Sequence, residues 1–159
     1  MLLLSSCKKG TNEGTLTFAI EYDEQEKAER EIIGLLPETL KYYYKNGSST
    51  AEISAFGMFR AAYISNVQEK TNSVLFYFMP KKYTCKAKFG ERMTGFDPLP
   101  GLTLTPTDEE KEILGFTAHK VHVSFEDKSK EEYDIWYTND IKIHDPNWPN
   151  PYKEIDGVL

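Results

Sequence analysis

Apolar residues along this chain alternate with polar ones far more often than they recur at helical spacing. Leu16, Phe18, Ile20 and Tyr22 alternate with Thr15, Thr17, Ala19 and Glu21, the period of a half-buried strand. Further strands are expected at 60–67, 73–79 and 82–89. The stretch 73–79 is apolar in both phases: Leu75, Tyr77 and Met79 point one way, and Val74, Phe76 and Phe78 the other. Neither side is therefore expected to face water. The stretch 82–89 sets Tyr83, Cys85, Ala87 and Phe89 against Lys82, Thr84, Lys86 and Lys88, the pattern of an edge strand guarded by lysines.

Asn46-Gly47 is the clearest local signal, because this pair favours positive φ at both central positions of a hairpin turn. Placing Lys45 opposite Ser48 sets Leu40 against Ile53 and Lys41 against Glu52. Apolar meets apolar on one face and opposite charges meet on the other, so a one-residue slip loses both matches. A second hairpin is expected from 116–125 through 126–130 to 131–138.

Helical spacing occurs once, at 23–36. Asp23 and Glu26 have capping-box spacing, Ala28, Ile32, Leu35 and Leu36 share a face, and Pro37 ends the element. Residues 90–107 read as an irregular loop that carries Met93, Phe96, Leu99, Leu102 and Leu104, and the tail at 143–152 as Pro/Asn-rich and irregular. The pattern predicts a mainly β (α+β) fold, an antiparallel sheet with a short helix and loops covering it.

Length and composition add limits. A chain of 159 residues fits one domain, here 15–159, preceded by a polar, Gly-bearing tether at 8–14. A net charge of -6 leaves no basic footprint for a phosphate backbone, so nucleic acid is not an expected partner. No apolar run approaches the length of a membrane helix.

Candidate chemistry is sparse. His119 and His122 are spaced like a metal pair, but in a strand residues three apart face opposite sides. His144-Asp145 lacks a visible third ligand. Cys85 falls on the apolar phase of its strand, where a thiol is ordinarily inert packing. The acidic runs at 23–31 and 108–112 read as helix starts and solvated faces. Trp148 and Tyr152 either stack on a sugar or partner or pin their loop, and the second reading is preferred. No catalytic residue, metal or cofactor is expected.

Leu4-Ser5-Ser6-Cys7 resembles the lipobox of bacterial lipoproteins, in which the cysteine is acylated after signal removal. Residues 1–7 then read as the remnant of a signal that begins upstream. The alternative is an ordinary Leu-rich start with a Cys7–Cys85 disulfide. Two further segments carry a family resemblance. The first runs from Glu112-Ile113-Leu114-Gly115-Phe116 to Ile135-Trp136-Tyr137-Thr138-Asn139-Asp140-Ile141, and the second is Lys153-Glu154-Ile155-Asp156-Gly157-Val158-Leu159. They resemble the strand start, the hairpin end and the last turn of Gram-negative lipoprotein domains of unknown function related to the GLPGLI group. The match covers mainly 105–159, with weaker agreement over 14–90. Relatives often have Cys where Ala118 stands, and they continue beyond the position of Leu159, so a C-terminal truncation is expected.

This resemblance implies a LolA-like half-open β-barrel that holds acyl chains or other hydrophobic ligands. It brings no catalytic residues. The resulting expectation is a non-enzymatic protein of the cell envelope, on the periplasmic side or surface of the outer membrane. It is lipid-anchored through Cys7 and holds a hydrophobic small molecule or lipid against Phe18, Tyr42, Leu75, Tyr77 and Met79. The alternative is a non-catalytic protein- or glycan-interaction module of an envelope complex.

Overall fold

The computed structural model describes residues 12–22, 36–91 and 99–159. Cys7 and nearly all of the helix expected at 23–36 lie outside them. Among the described residues there is no helix, and nine strands form two antiparallel sheets, neither of which closes into a barrel. The chain divides into two compact units, Glu13–Phe96 and a second built on Asp97–Leu159, within the stretch read from sequence as one domain.

The first unit is a six-stranded meander. Its strands are β1 (Glu13–Ala19), β2 (Thr39–Lys45), β3 (Ser48–Ala55), β4 (Phe59–Asn66), β5 (Thr71–Phe78) and β6 (Lys81–Lys88), lying in the sheet in sequence order. The hairpin register is the one expected from Asn46-Gly47: Leu40 faces Ile53 and Lys41 faces Glu52. Asn46 and Gly47 have φ of 49° and 81°, the positive pair that lets a two-residue turn follow the strands' right-handed twist. Strand β6 lies at the edge, as its lysines suggest, and β1 forms the other edge. Cys85 lies on the apolar side of β6 but is exposed, contrary to its expected packing, because nothing pairs beyond an edge strand.

The second unit has a three-stranded sheet, β7 (Leu102–Ile113), β8 (Phe116–Phe125) and β9 (Tyr133–Tyr137), with β8 in the middle. Strand β7 corrects the irregular reading of 90–107 over 102–107, residues 92–98 lying outside the described ones, and it corrects the helix-start reading of 108–112. Pro106 conceals the strand in the sequence: it sits on an edge strand where the register shifts between Pro106 and Glu110, so its missing N–H interrupts the ladder only there. The acidic run is a solvated strand end. Val121, Val123 and Phe125 form the buried face of β8, beside Ile135 and Tyr133 of β9. The tail adds Ile141, Ile155 and Val158 to the buried set, and Thr138 pairs with Val158.

Strands β7 and β8 are joined by Leu114-Gly115, with φ of 51° and 82°. The conformation matches that of Asn46-Gly47, but a leucine that is 84% exposed occupies the position where asparagine fits best. Leu114→Asn is expected to stabilise this unit by about 1 kcal/mol by relieving the left-handed strain. Both tryptophans, Trp136 and Trp148, belong to this unit, so urea denaturation followed by tryptophan fluorescence reads it directly. A midpoint that stays put or falls would show that the turn carries no strain.

Candidate functional site

Counting register across the first sheet sorts its side chains into two faces. One face begins, at the end where β3 turns into β4, with the row Ala55, Phe59, Phe78 and Lys81. The next row is Phe18, Leu40, Ile53, Ala61, Phe76 and Tyr83, followed by Leu16, Tyr42, Ala51, Tyr63, Val74 and Cys85. The last row is Gly14, Tyr44, Ser49, Ser65, Asn72 and Ala87. Large aromatic or aliphatic residues recur on β2, β4 and β5, with Ala51, Ala55 and Ala61 between them on β3 and β4. Phe76 meets Phe59 edge-on at 5.4 Å and Tyr83 at 6.2 Å. The result is an apolar strip that ends in a polar row.

That polar row is buried. Ser49, Ser65, Asn72 and Tyr44 are all shielded from solvent, Ser65 to 1% exposure. The Ser65 Oγ and the Asn72 Oδ1 have no hydrogen-bond partner. They belong to residues directly opposite each other on β4 and β5. Leaving a buried polar group unpaired costs about 1–3 kcal/mol, so two neighbouring ones call for a reason.

The five residues expected to line a ligand space do not come together. Phe18 and Tyr42 lie on the apolar face described above. Leu75 and Tyr77 lie on the opposite face, opposite Ala62 and Arg60 of β4. Met79 is on neither face, in the turn after β5 at φ 52°. The partners of Phe18 and Tyr42 on β5 are Val74, Phe76 and Phe78, the other phase of the same strand. The opposite face tolerates Leu75 and Tyr77 because long basic side chains accompany them, with Lys82 lying over the Tyr77 ring at 5.4 Å. A cavity of about 470 Å³ near the Asn46-Gly47 turn is lined by residues of both phases, Tyr43, Lys45, Thr50 and Ile64 together with Ser49 and Ser65 among others, a polar set unlike that of an apolar ligand site.

The histidines face opposite sides of β8, as their spacing requires: His119 is opposite Tyr137 and His122 opposite Asp134. His119 Nδ1 lies 3.1 Å from Glu110. His122 is clamped between Asp134 at Nδ1 (2.9 Å) and Glu132 at Nε2 (3.2 Å). Lys120 joins the cluster through Glu109 and Asp134, and Lys128 through Glu132. Among the described residues no group of three or more His, Cys, Asp or Glu is arranged to hold a metal ion.

The hydrogen bonds to Asp134 and then Glu132 raise the His122 pKa, and the same bonds lower those of Asp134 and Glu132. A histidine raised in the folded state contributes stability fully below its ordinary value of about 6.5 and loses it as pH rises through the folded value. The lowered carboxylates contribute above their ordinary range and lose that contribution as pH falls through their folded values. The cluster is therefore tightest in mildly acidic solution. An NMR titration is expected to place the His122 midpoint above that of a free imidazole, and a midpoint at or below it would remove the clamp.

Several polar side chains of the second unit act as staples. Asp140 Oδ2 accepts the Thr117 N–H at 2.9 Å and Thr138 Oγ1 accepts the Asp140 N–H at 3.2 Å, tying the end of β9 back to the start of β8. Asn147, only 3% exposed, donates through Nδ2 to the carbonyls of Ile155 and Gly157, both at 2.8 Å. The Tyr152 and Tyr133 hydroxyls share a hydrogen bond of 2.6 Å, and burial together with this bond raises the Tyr152 pKa. Trp148 is half-buried and Tyr152 is engaged with the sheet, which favours the loop-pinning reading of these rings.

Compared with known proteins, no family model, no curated protein and no solved structure matches the chain.

Proposed function

We propose that the protein is a non-catalytic component of the cell envelope, anchored through Cys7, that holds an amphipathic lipid on the apolar face of its six-stranded sheet. In this reading the sheet corresponds to the curved sheet of a LolA-like half-barrel, and Phe18, Tyr42, Phe76 and Val74 line the ligand in place of the set chosen from sequence alone. The observation that carries it is the end of the strip. Three apolar rows lead to a buried polar row in which the Ser65 Oγ and Asn72 Oδ1 are unpaired. From Phe78 to Asn72 the strand advances about 20 Å at its usual rise, the length of a long acyl chain. A polar headgroup with a donor would satisfy the two orphan groups where the chain ends.

A fluorescent fatty acid tests this. Wild type is expected to bind it, and Asn72→Leu to weaken binding roughly tenfold, the loss of one buried hydrogen bond to a polar head. Because the orphan group is removed, the variant is expected to be no less stable than wild type. A wild type that ignores the probe, or an Asn72→Leu variant that binds it equally well, overturns the reading. The anchor is tested separately: labelled palmitate is expected to enter the precursor and to be lost in Cys7→Ser, and an unlabelled wild type overturns it.

A further inference from the structure

We propose that the end of the six-stranded sheet formed by the β3–β4 and β5–β6 turns docks on an anionic lipid surface. The inference does not depend on a ligand on the apolar strip. The two turns adjoin each other: the Met79 N–H donates to the Met58 carbonyl at 2.7 Å, and Phe59 pairs with Phe78 just behind them. Phe56 and Met79, at their tips, are 68% and 60% exposed. Both are also held at positive φ, 45° and 52°, where bulky side chains are steric outliers. Met79 stands at the first central position of a two-residue turn, which ordinarily takes glycine, and it precedes Pro80, which favours an extended residue before it. Met58, Phe78 and Tyr83 extend the exposed apolar surface. Strain and apolar exposure thus coincide in two neighbouring turns.

Charge selects the occupant. The chain carries a net -6, yet β6 reads KKYTCKAK, with four lysines and no acid. Lys81 and Lys82 follow the Met79-Pro80 tip directly and fall on opposite faces of the sheet, so a cation stands on each side of the apolar tip. Neither makes an ion pair among the described residues. The nearest acid on β3, Glu52, is taken by Arg60 at 2.7 Å, and Glu38 lies across the sheet, just before β2. Apolar tips flanked by lysines are what the headgroup region of an anionic membrane takes up: the tips enter the acyl boundary and the ammonium groups meet phosphates. A protein partner would call for a broad patch of about 800 Å² on this side, whereas the exposed surface here is two narrow turns.

The test uses the whole chain carrying Cys7→Ser, so that no acyl anchor contributes. Co-sedimentation is measured with vesicles of phosphatidylcholine alone and of phosphatidylcholine mixed with phosphatidylglycerol. Binding is expected with the mixed vesicles and to weaken with added salt. Lys81→Glu and Lys82→Glu are each expected to lower affinity about fivefold or more. Phe56→Asn is expected to lower it roughly tenfold while raising the denaturation midpoint, because asparagine accepts the left-handed backbone that phenylalanine resists. That opposite movement of binding and stability is not produced by simple misfolding. Failure to bind the mixed vesicles, equal binding to both compositions, or binding unaffected by Phe56→Asn overturns the proposal, and the first of these would leave the turns to a protein partner.

Discussion

Asn147→Leu is expected to destabilise the second unit by roughly 2–4 kcal/mol, because each of two buried carbonyls would lose its donor at about 1–3 kcal/mol apiece. The Asn147 amide bonds the Ile155 and Gly157 carbonyls at 2.8 Å each from a site that water does not reach. The tail has few ladder hydrogen bonds, so this one side chain does for its backbone what a neighbouring strand does elsewhere. Asn147→Asp keeps the shape, removes the donor and sets a carboxylate against two carbonyl oxygens, and is expected to cost at least as much. Tryptophan fluorescence through a urea transition measures both. A midpoint within error of wild type for Asn147→Leu would mean that the two carbonyls find other donors and that the latch is incidental.

Gly157→Ala is the second large effect, about 1–3 kcal/mol, the usual range for overpacking. A methyl group at this position would come within 2.5 Å of Tyr137 Cδ2 and 3.0 Å of the Thr138 carbonyl oxygen. The ring can turn only so far, and the carbonyl is backbone that accepts the Val158 N–H at 2.9 Å. Relief therefore requires the tail to move off β9, which breaks the Thr138–Val158 bridge. Amide exchange at Val158 is expected to accelerate together with the loss of stability. Unchanged protection at Val158 in a destabilised variant would place the strain elsewhere.

Much of the first sheet was legible because its signals were local. Asn46-Gly47 fixes a register through turn chemistry alone, and the lysines of 82–88 mark an edge whatever else the chain does. The phase of β5 was not legible, because Leu75, Tyr77 and Met79 are as apolar as Val74, Phe76 and Phe78, and alternation reports parity without saying which parity faces which neighbour. Parity can be carried across turns, from Leu40 to Ile53 to Ala61 to Phe76, but only if the Phe56-Gly57 turn is recognised. A phenylalanine at positive φ is what pattern reading does not anticipate. The same holds for Leu114-Gly115. Strand β7 was hidden by Pro106 and by an acidic run with low strand propensity, both tolerated because the strand is an edge with a register shift.

The candidate site divides in the same way. The expectation of an apolar ligand space came from the family resemblance and from the two-sided strand at 73–79, while Ser65 and Asn72 are polar residues that the sequence reading did not single out. Their neighbourhood arises only when β4 and β5 pair. Asn147 had one faint signal, an amide inside a proline-rich tail that also carries Ile141, Ile143, Ile155 and Val158, too much apolar content for a segment that stays in solvent.

The meander order of the first sheet also bears on how the molecule is made. Every strand there pairs with the one synthesised just before it, so its strand pairings are short-range along the chain, a low-contact-order arrangement that is quick to assemble. A chain that emerges N-terminus first during synthesis can add these strands one hairpin at a time. The second unit follows the same order: β7, β8 and β9 pair in sequence, and the tail then folds back through Asn147 to Ile155 and Gly157 and through Val158 to Thr138. Closure of the tail depends on β9 being in place, so weakening it is expected to loosen the tail locally before the sheet opens.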